Sequence, residues 1–181
     1  MDFPKNLLKK CSRGDRKAQK ALYHHFSSSM YGVCLRYFPN PEIAQEILKD
    51  GFIRVFETLN TFRFQESLEV WIKRIMVNTV LDYYRQNFLE SEAENGEEDI
   101  NQSEACYQGS DFSLLLSLVV QLPTQYRIVF NLLAIEGYDN AQIAQKLCIS
   151  ESECSLNYSR AKAILREQIL DIEKSSHHAI L

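Results

Sequence analysis

Glu90-Ser91-Glu92-Ala93-Glu94-Asn95-Gly96-Glu97-Glu98-Asp99 places six acids in ten residues, with no aromatic and no bulky apolar side chain. Such a stretch repels itself and holds too little apolar surface to offset the entropy of ordering a chain. It predicts a linker, over residues 88–111, between compact pieces at 1–87 and 112–181. The alternative is an acidic surface loop inside a single domain, but a structureless loop of more than about 15 residues is uncommon there. Charge divides along the same boundaries. Residues 1–87 carry 14 Lys and Arg against 9 Asp and Glu, a balance of +5. The linker carries 8 acids and no base, and residues 112–181 carry 6 bases against 7 acids. The net charge of −4 is therefore concentrated in the connector.

The remaining composition is that of a soluble globular protein, with 45% hydrophobic and 24% charged residues among 181. The longest apolar run, Leu114 to Val120, stops at Gln121 and Pro123. A membrane span needs about 18 or more such residues. Met1-Asp2-Phe3-Pro4-Lys5 leads into charged sequence rather than an apolar signal core. Five cysteines (Cys11, Cys34, Cys106, Cys148, Cys154) form an odd set without CxxC spacing, which suits reduced thiols better than a disulfide framework or a zinc site. A cytoplasmic location is expected.

Both pieces read as helical, because no run alternates apolar and polar residues for long enough to suggest a strand. Asn40-Pro41-Glu42 is a helix start with Pro at the first helical position. Beyond it Ile43, Ile47, Val55 and Leu59, widened by Leu48, Phe52 and Phe56, form an apolar stripe. Gln45, Glu46, Lys49, Asp50, Arg54 and Glu57 lie opposite. Glu66 to Arg85 is a second long helix or two shorter ones, with Val70, Trp71, Ile75, Thr79 and Tyr83 expected on one face. Leu7 to Tyr37 supplies one or two more helices, broken near Ser12-Arg13-Gly14-Asp15.

In the second piece, helices are expected over Leu114–Leu122, Thr124–Ile135, Asn140–Leu147 and Glu151 to about Ile172. Gly137 caps the second of these. Ser150 caps the last, with Glu153 completing a capping box. The final pair, joined through Cys148-Ile149-Ser150, describes a helix-turn-helix. Cys154, Tyr158, Ala161 and Leu165 form its buried stripe. Glu153, Ser155, Leu156, Asn157, Arg160 and Lys162 are expected outward or at its edges.

Catalytic constellations are missing from the sequence: it has no Gly-rich phosphate loop, HExxH, nucleophile elbow or metal-ligand spacing. The histidines are two adjacent pairs, His24-His25 and His177-His178. Neighbours in a helix point about 100° apart and do not easily share a ligand. No enzyme activity, metal, cofactor or small-molecule substrate is expected.

Nucleic-acid chemistry fits better. Ala44-Gln45-Glu46-Ile47-Leu48-Lys49-Asp50-Gly51-Phe52-Ile53-Arg54-Val55-Phe56-Glu57-Thr58-Leu59-Asn60-Thr61-Phe62-Arg63, followed by Trp71-Ile72-Lys73-Arg74-Ile75-Met76-Val77-Asn78-Thr79-Val80-Leu81-Asp82-Tyr83-Tyr84-Arg85, resembles conserved region 2 of the extracytoplasmic-function (ECF) group of bacterial RNA polymerase sigma factors. Leu122-Pro123-Thr124-Gln125-Tyr126-Arg127-Ile128-Val129-Phe130, Glu136-Gly137-Tyr138, Ile143-Ala144-Gln145-Lys146-Leu147 and Ile149-Ser150 resemble region 4 of the same group. The specificity lies in the ordered pair across an acidic connector, not in any one fragment.

The resemblance implies an all-α protein of two small helical domains that binds core RNA polymerase and directs it to promoter DNA. Glu46, Lys49, Asp50, Arg54 and Glu57 fall on the helix that docks on the polymerase's largest subunit in relatives; a solvated face with pairs such as Asp50–Arg54 is the plain alternative. Phe62, Arg63, Trp71, Arg74 and Asn78 fall where relatives open the minus-ten element. Aromatic platforms, nearby cations and an amide for an extruded base suit that task. Trp71 and Tyr83 share the apolar stripe and suit a core better than a platform. Ser155, Leu156, Asn157, Arg160 and Lys162 fall where relatives read the minus-thirty-five element in the major groove. Relatives usually carry Lys or Arg at the positions of Ser155 and Asn157. With the piece's balance of −1, this implies weak duplex binding outside the polymerase. An anti-sigma protein is a further expected partner. Residues 140–168 alone also fit a stand-alone helix-turn-helix regulator.

Overall fold

A computed structural model describes residues 3–88 and 111–178, with side chains described from 114 to 174 in the second segment. The expected linker lies outside the described residues apart from its two ends. Among the described residues every regular element is helical. The chain divides into two compact units, Met1–Glu94 and Asn95–Leu181.

The first unit holds α1 (Lys5–Cys11), α2 (Arg16–Tyr37), α3 (Pro41–Thr58) and α4 (Leu68–Asn87). Local chemistry sets each start. Gly14 takes a left-handed φ of 81°, breaking α1 from α2 as expected, and the Asp15 carboxylate then accepts from Ala18 N at 2.9 Å. The Asn40 side chain accepts from Glu42 N and Ile43 N, with Pro41 just inside the helix. Ser67 caps α4 by accepting from Val70 N at 3.2 Å. Helices α2, α3 and α4 pack on one another, and α1 packs on α2. Their core includes Leu22, Met30, Tyr37, Ile47, Val55, Ile72 and Met76, all fully buried. Burying each such side chain contributes roughly 1.5–3 kcal/mol.

The inward face of α4 differs from expectation. Ile72, Met76, Val77, Val80, Leu81 and Tyr84 are buried, whereas Val70 is exposed and Trp71, Ile75 and Tyr83 are half-buried. Of the expected stripe only Thr79 is buried, donating to Ile75 O at 2.9 Å. This helix is apolar around most of its circumference, so periodicity alone leaves its phase open. Packing settles it: at Gly51 of α3 there is no side chain, and a Cβ built there would meet the Met76 thioether, with Cε at 2.9 Å.

The second unit holds α5 (Asp111–Val120), α6 (Thr124–Phe130), α7 (Asn140–Leu147) and α8 (Glu151–His178). After Phe130, α6 continues as a π-helical turn over Asn131–Ile135, which ends before Gly137 at φ 76°. Buried Asn131 donates from Nδ2 to Arg127 O at 2.8 Å, a side-chain bond to the carbonyl of the preceding turn of the kind that bends helices. Arg127 is itself 94% buried. Its guanidinium donates to Val120 O (2.9 Å), Leu122 O (2.6 Å) and Thr124 Oγ1 (3.0 Å). Those carbonyls are left over where α5 stops at the turn before Pro123, and Arg127 satisfies them.

Asp139 and Gln142 form a full capping box at the start of α7. Cys148 closes α7 with φ 59°, taking the left-handed position where Gly is usual. Ser150 accepts from Glu153 N at 3.1 Å, as expected for the start of α8. Cys154, Ala161 and Leu165 are buried and Tyr158 half-buried, close to the expected stripe. Asn157 is a correction: it is buried on α8 and does not face outward. Residue 157 sits three positions after Cys154 and four before Ala161, which turns it toward the same side as both.

Candidate polymerase and promoter interfaces

On α3, Gln45, Glu46, Lys49, Asp50 and Glu57 are exposed, as the helical spacing requires. They surround Ile53, which is 54% exposed and which sequence patterning left unassigned. Arg54 stands apart from this group. Its guanidinium pairs with Asp82 of α4, which also pairs with Arg85. Partial burial pushes the Asp82 carboxyl up, but the hydrogen bonds and charges of Arg54 and Arg85 outweigh this and hold it below its usual value.

Between α3 and α4 the chain makes a 3₁₀ turn (Leu59–Thr61) and then an irregular stretch. Here Phe62, Phe64 and Trp71 form an aromatic cluster. The Phe62 ring lies 4.8 Å from Phe64 and 5.5 Å from Trp71, centroid to centroid. Phe64 is half-exposed at a left-handed φ of 56°, an uncommon backbone state for a bulky residue. Lys5 of α1 lies over its ring at 5.5 Å. Arg63 is exposed. Arg74 is also exposed but makes a bidentate pair with Glu66, at 3.1 and 2.7 Å, tying the loop to α4. Asn78 is half-buried and follows Trp71 by seven residues, on the same side of the helix. The sequence placed these residues in one segment; the fold gathers Phe62, Phe64 and Trp71 into one surface.

In the second unit, Leu156 is 49% exposed and Ser155, Ser159, Arg160 and Lys162 are exposed beside it. Ser155 Oγ accepts from Asn140 Nδ2 at 3.1 Å, bracing α8 against the start of α7. Arg160 donates to Tyr126 Oη at 3.0 Å, and the Lys162 ammonium lies 4.6 Å from the Tyr158 ring centroid. The surface around Leu156 therefore combines two small hydroxyl residues, Ser155 and Ser159, with the cations Arg160 and Lys162. Buried Asn157 does not belong to it. Residues missed by sequence patterning, Tyr126 and Asn140, matter through pairings across more than ten positions, which local spacing does not reveal.

Burial pushes the Cys34 thiol up to about 12, and raises those of Cys11 and Cys154. Among the described residues no group of three or more His, Cys, Asp or Glu is arranged to hold a metal ion. No described helix is long and apolar enough to cross a membrane.

A helical unit with an aromatic loop, followed by a unit ending in a helix-turn-helix, is the architecture of a two-domain transcription initiation factor. Family models agree: Sigma-70 region 2 matches residues 22–88, and Sigma-70, region 4 matches residues 112–165. The chain is 25% identical to the ECF RNA polymerase sigma factor SigW of Bacillus subtilis over 182 residues, covering 93% of this chain and 97% of that one. It is 22% identical to the ECF RNA polymerase sigma-E factor of Haemophilus influenzae, over 90% and 93% of the two chains. Among solved structures, the sigma factor RpoE in complex with the anti-sigma factor NepR from Bartonella quintana shares the fold. Its TM-score is 0.51 at 16% identity, over 83% of this chain and 95% of that one. The chain belongs to the ECF group of RNA polymerase sigma factors. The stand-alone regulator reading is not favoured, since it leaves the match over residues 22–88 unexplained.

Proposed function

We propose that this sigma factor grips core RNA polymerase with α3, opens the minus-ten element with the α3–α4 loop and α4, and reads the minus-thirty-five element with α8. The carrying observation is the aromatic cluster of Phe62, Phe64 and Trp71, which offers stacking surface beside the cations Lys5 and Arg63. The docking face comprises Glu46, Lys49, Asp50 and Glu57 around Ile53, while Arg54 turns away from it to Asp82 of α4. Asn78 contacts an extruded base. Arg74 acts through Glu66 to fix the loop rather than by meeting phosphate itself.

On α8, Leu156 meets thymine methyls, while Ser155, Arg160 and Lys162 meet base edges and phosphates. Residues 88–111 tether the two domains. The protein works by binding, not by catalysis, in the cytoplasm, and an anti-sigma protein holds it inactive.

Core polymerase mixed with the chain should transcribe from a promoter that core enzyme alone ignores. Asp50→Arg should weaken association with core polymerase by about tenfold through a like-charge mismatch at the docking face. Unchanged affinity would remove that face from the proposal.

A further inference from the structure

Trp71, Ile75, Asn78, Asp82 and Arg85 recur along α4 at spacings of four, three, four and three, and all are half-buried. They form one stripe on one side of the helix. Its C-terminal end holds a cluster drawn from two helices, in which the Asp82 carboxylate takes Arg54 of α3 on one oxygen and Arg85 on the other. Side-chain exposures are 42% for Arg54, 38% for Arg85 and 27% for Asp82, so both guanidiniums border solvent while their carboxylate is the more sheltered member.

The cluster brings two guanidiniums to one carboxylate. Each guanidinium has five N–H donors in a planar fork, a shape that matches phosphate oxygens. Asp82 is too sheltered to be the presented surface. Its effect is to hold two long, flexible cations side by side and so reduce the entropy lost when they bind an anion. Asn78 and Asp82 are separated by about 6 Å along the helix axis. A strand that inserts a base beside Asn78 and runs along this stripe brings its phosphates to the two arginines.

We infer that Arg54 and Arg85, aligned by Asp82, form a phosphate cradle for the single strand held at Asn78. This rests on the proposed role of α4 in promoter opening. Asp82 is a positioning residue, acting on the strand through the two arginines. Arg54 thereby joins strand binding, which explains why it turns from the exposed face of α3 toward α4.

The test is equilibrium binding of holoenzyme, assembled from core polymerase and full-length chain, to a promoter fragment with a premelted minus-ten bubble across a range of salt concentrations. Each phosphate contact to a single strand contributes about 0.7 to the slope of log affinity against log salt. Arg54→Gln and Arg85→Gln should each make the slope shallower by about that amount. Arg85→Lys should retain it, and Asp82→Asn, which keeps both cations, should lower affinity without a shallower slope. If the cluster is only a strut between α3 and α4, the Gln and Asn variants lose thermal stability alike and keep the wild-type slope, and the cradle is overturned. Wild-type holoenzyme that fails to bind the bubble overturns the functional reading itself, and the cradle with it.

Discussion

The Phe62 and Trp71 rings meet with centroids 5.5 Å apart, joining the α3–α4 loop to the first turn of α4. Phe64, in contact with Phe62, extends this surface to solvent. The half-exposed Phe64 contributes little to the core, so Phe64→Ala should leave thermal stability within about 1 kcal/mol. Loss of one stacking platform costs about 1–3 kcal/mol in strand binding, so promoter opening should fall roughly tenfold or more. Permanganate reactivity of thymines in the minus-ten region checks this. Normal opening would assign the cluster to structure alone.

Ser155 and Asn157 are alike in sequence and opposite in environment. Ser155→Lys, on the exposed side of α8, should strengthen duplex binding and steepen its salt slope by about 0.9. Asn157→Lys places a cation at a buried position and should cost the second unit about 2–4 kcal/mol. Urea unfolding combined with a salt titration of minus-thirty-five duplex binding separates the two outcomes.

Arg127 looks like a nucleic-acid contact by residue type, yet it is interior. Arg127→Met removes the donors to Val120 O and Leu122 O, leaving two buried carbonyls without them. The expected loss is about 2–4 kcal/mol of stability in the second unit, with polymerase binding through the first unit retained. A variant as stable as wild type would show that water replaces the guanidinium.

Asp82 sets a pH dependence. Its folded-state pKa is lowered, so its contribution to stability is present above the unfolded-state value near about 4. That contribution is lost as pH falls through the still lower folded value. Asp82→Asn should therefore flatten the decline in thermal stability as pH falls below about 5. An acid limb equal to that of wild type would show that Arg54 and Arg85 do not hold the carboxylate in solution.

Where the chain signalled itself locally, the sequence was readable. Asn40-Pro41, Gly14-Asp15 and Ser150 with Glu153 act within three or four residues, and each helix start falls where expected. Long-range packing was not readable. The phase of α4 depends on Met76 filling the space at Gly51, 25 positions earlier, and nothing in the apolar pattern of α4 records that. The same holds for the candidate sites. Exposure of Glu46, Lys49 and Asp50 follows from spacing on α3, whereas the turning of Arg54 to Asp82 depends on which face α4 presents. Asn157 was misplaced for a different reason: its spacing from Cys154 and Ala161 places it on the buried side, but its polar side chain suggested an outward position.

Redirecting core polymerase to new promoters is the central activity of this chain. Mapping the 5′ ends of transcripts made on genomic DNA by core polymerase, with and without the full-length protein, tests it most directly. New start sites sharing a minus-ten and a minus-thirty-five sequence, abolished by Asp50→Arg, are the expected result. Identical transcripts in both reactions would contradict it.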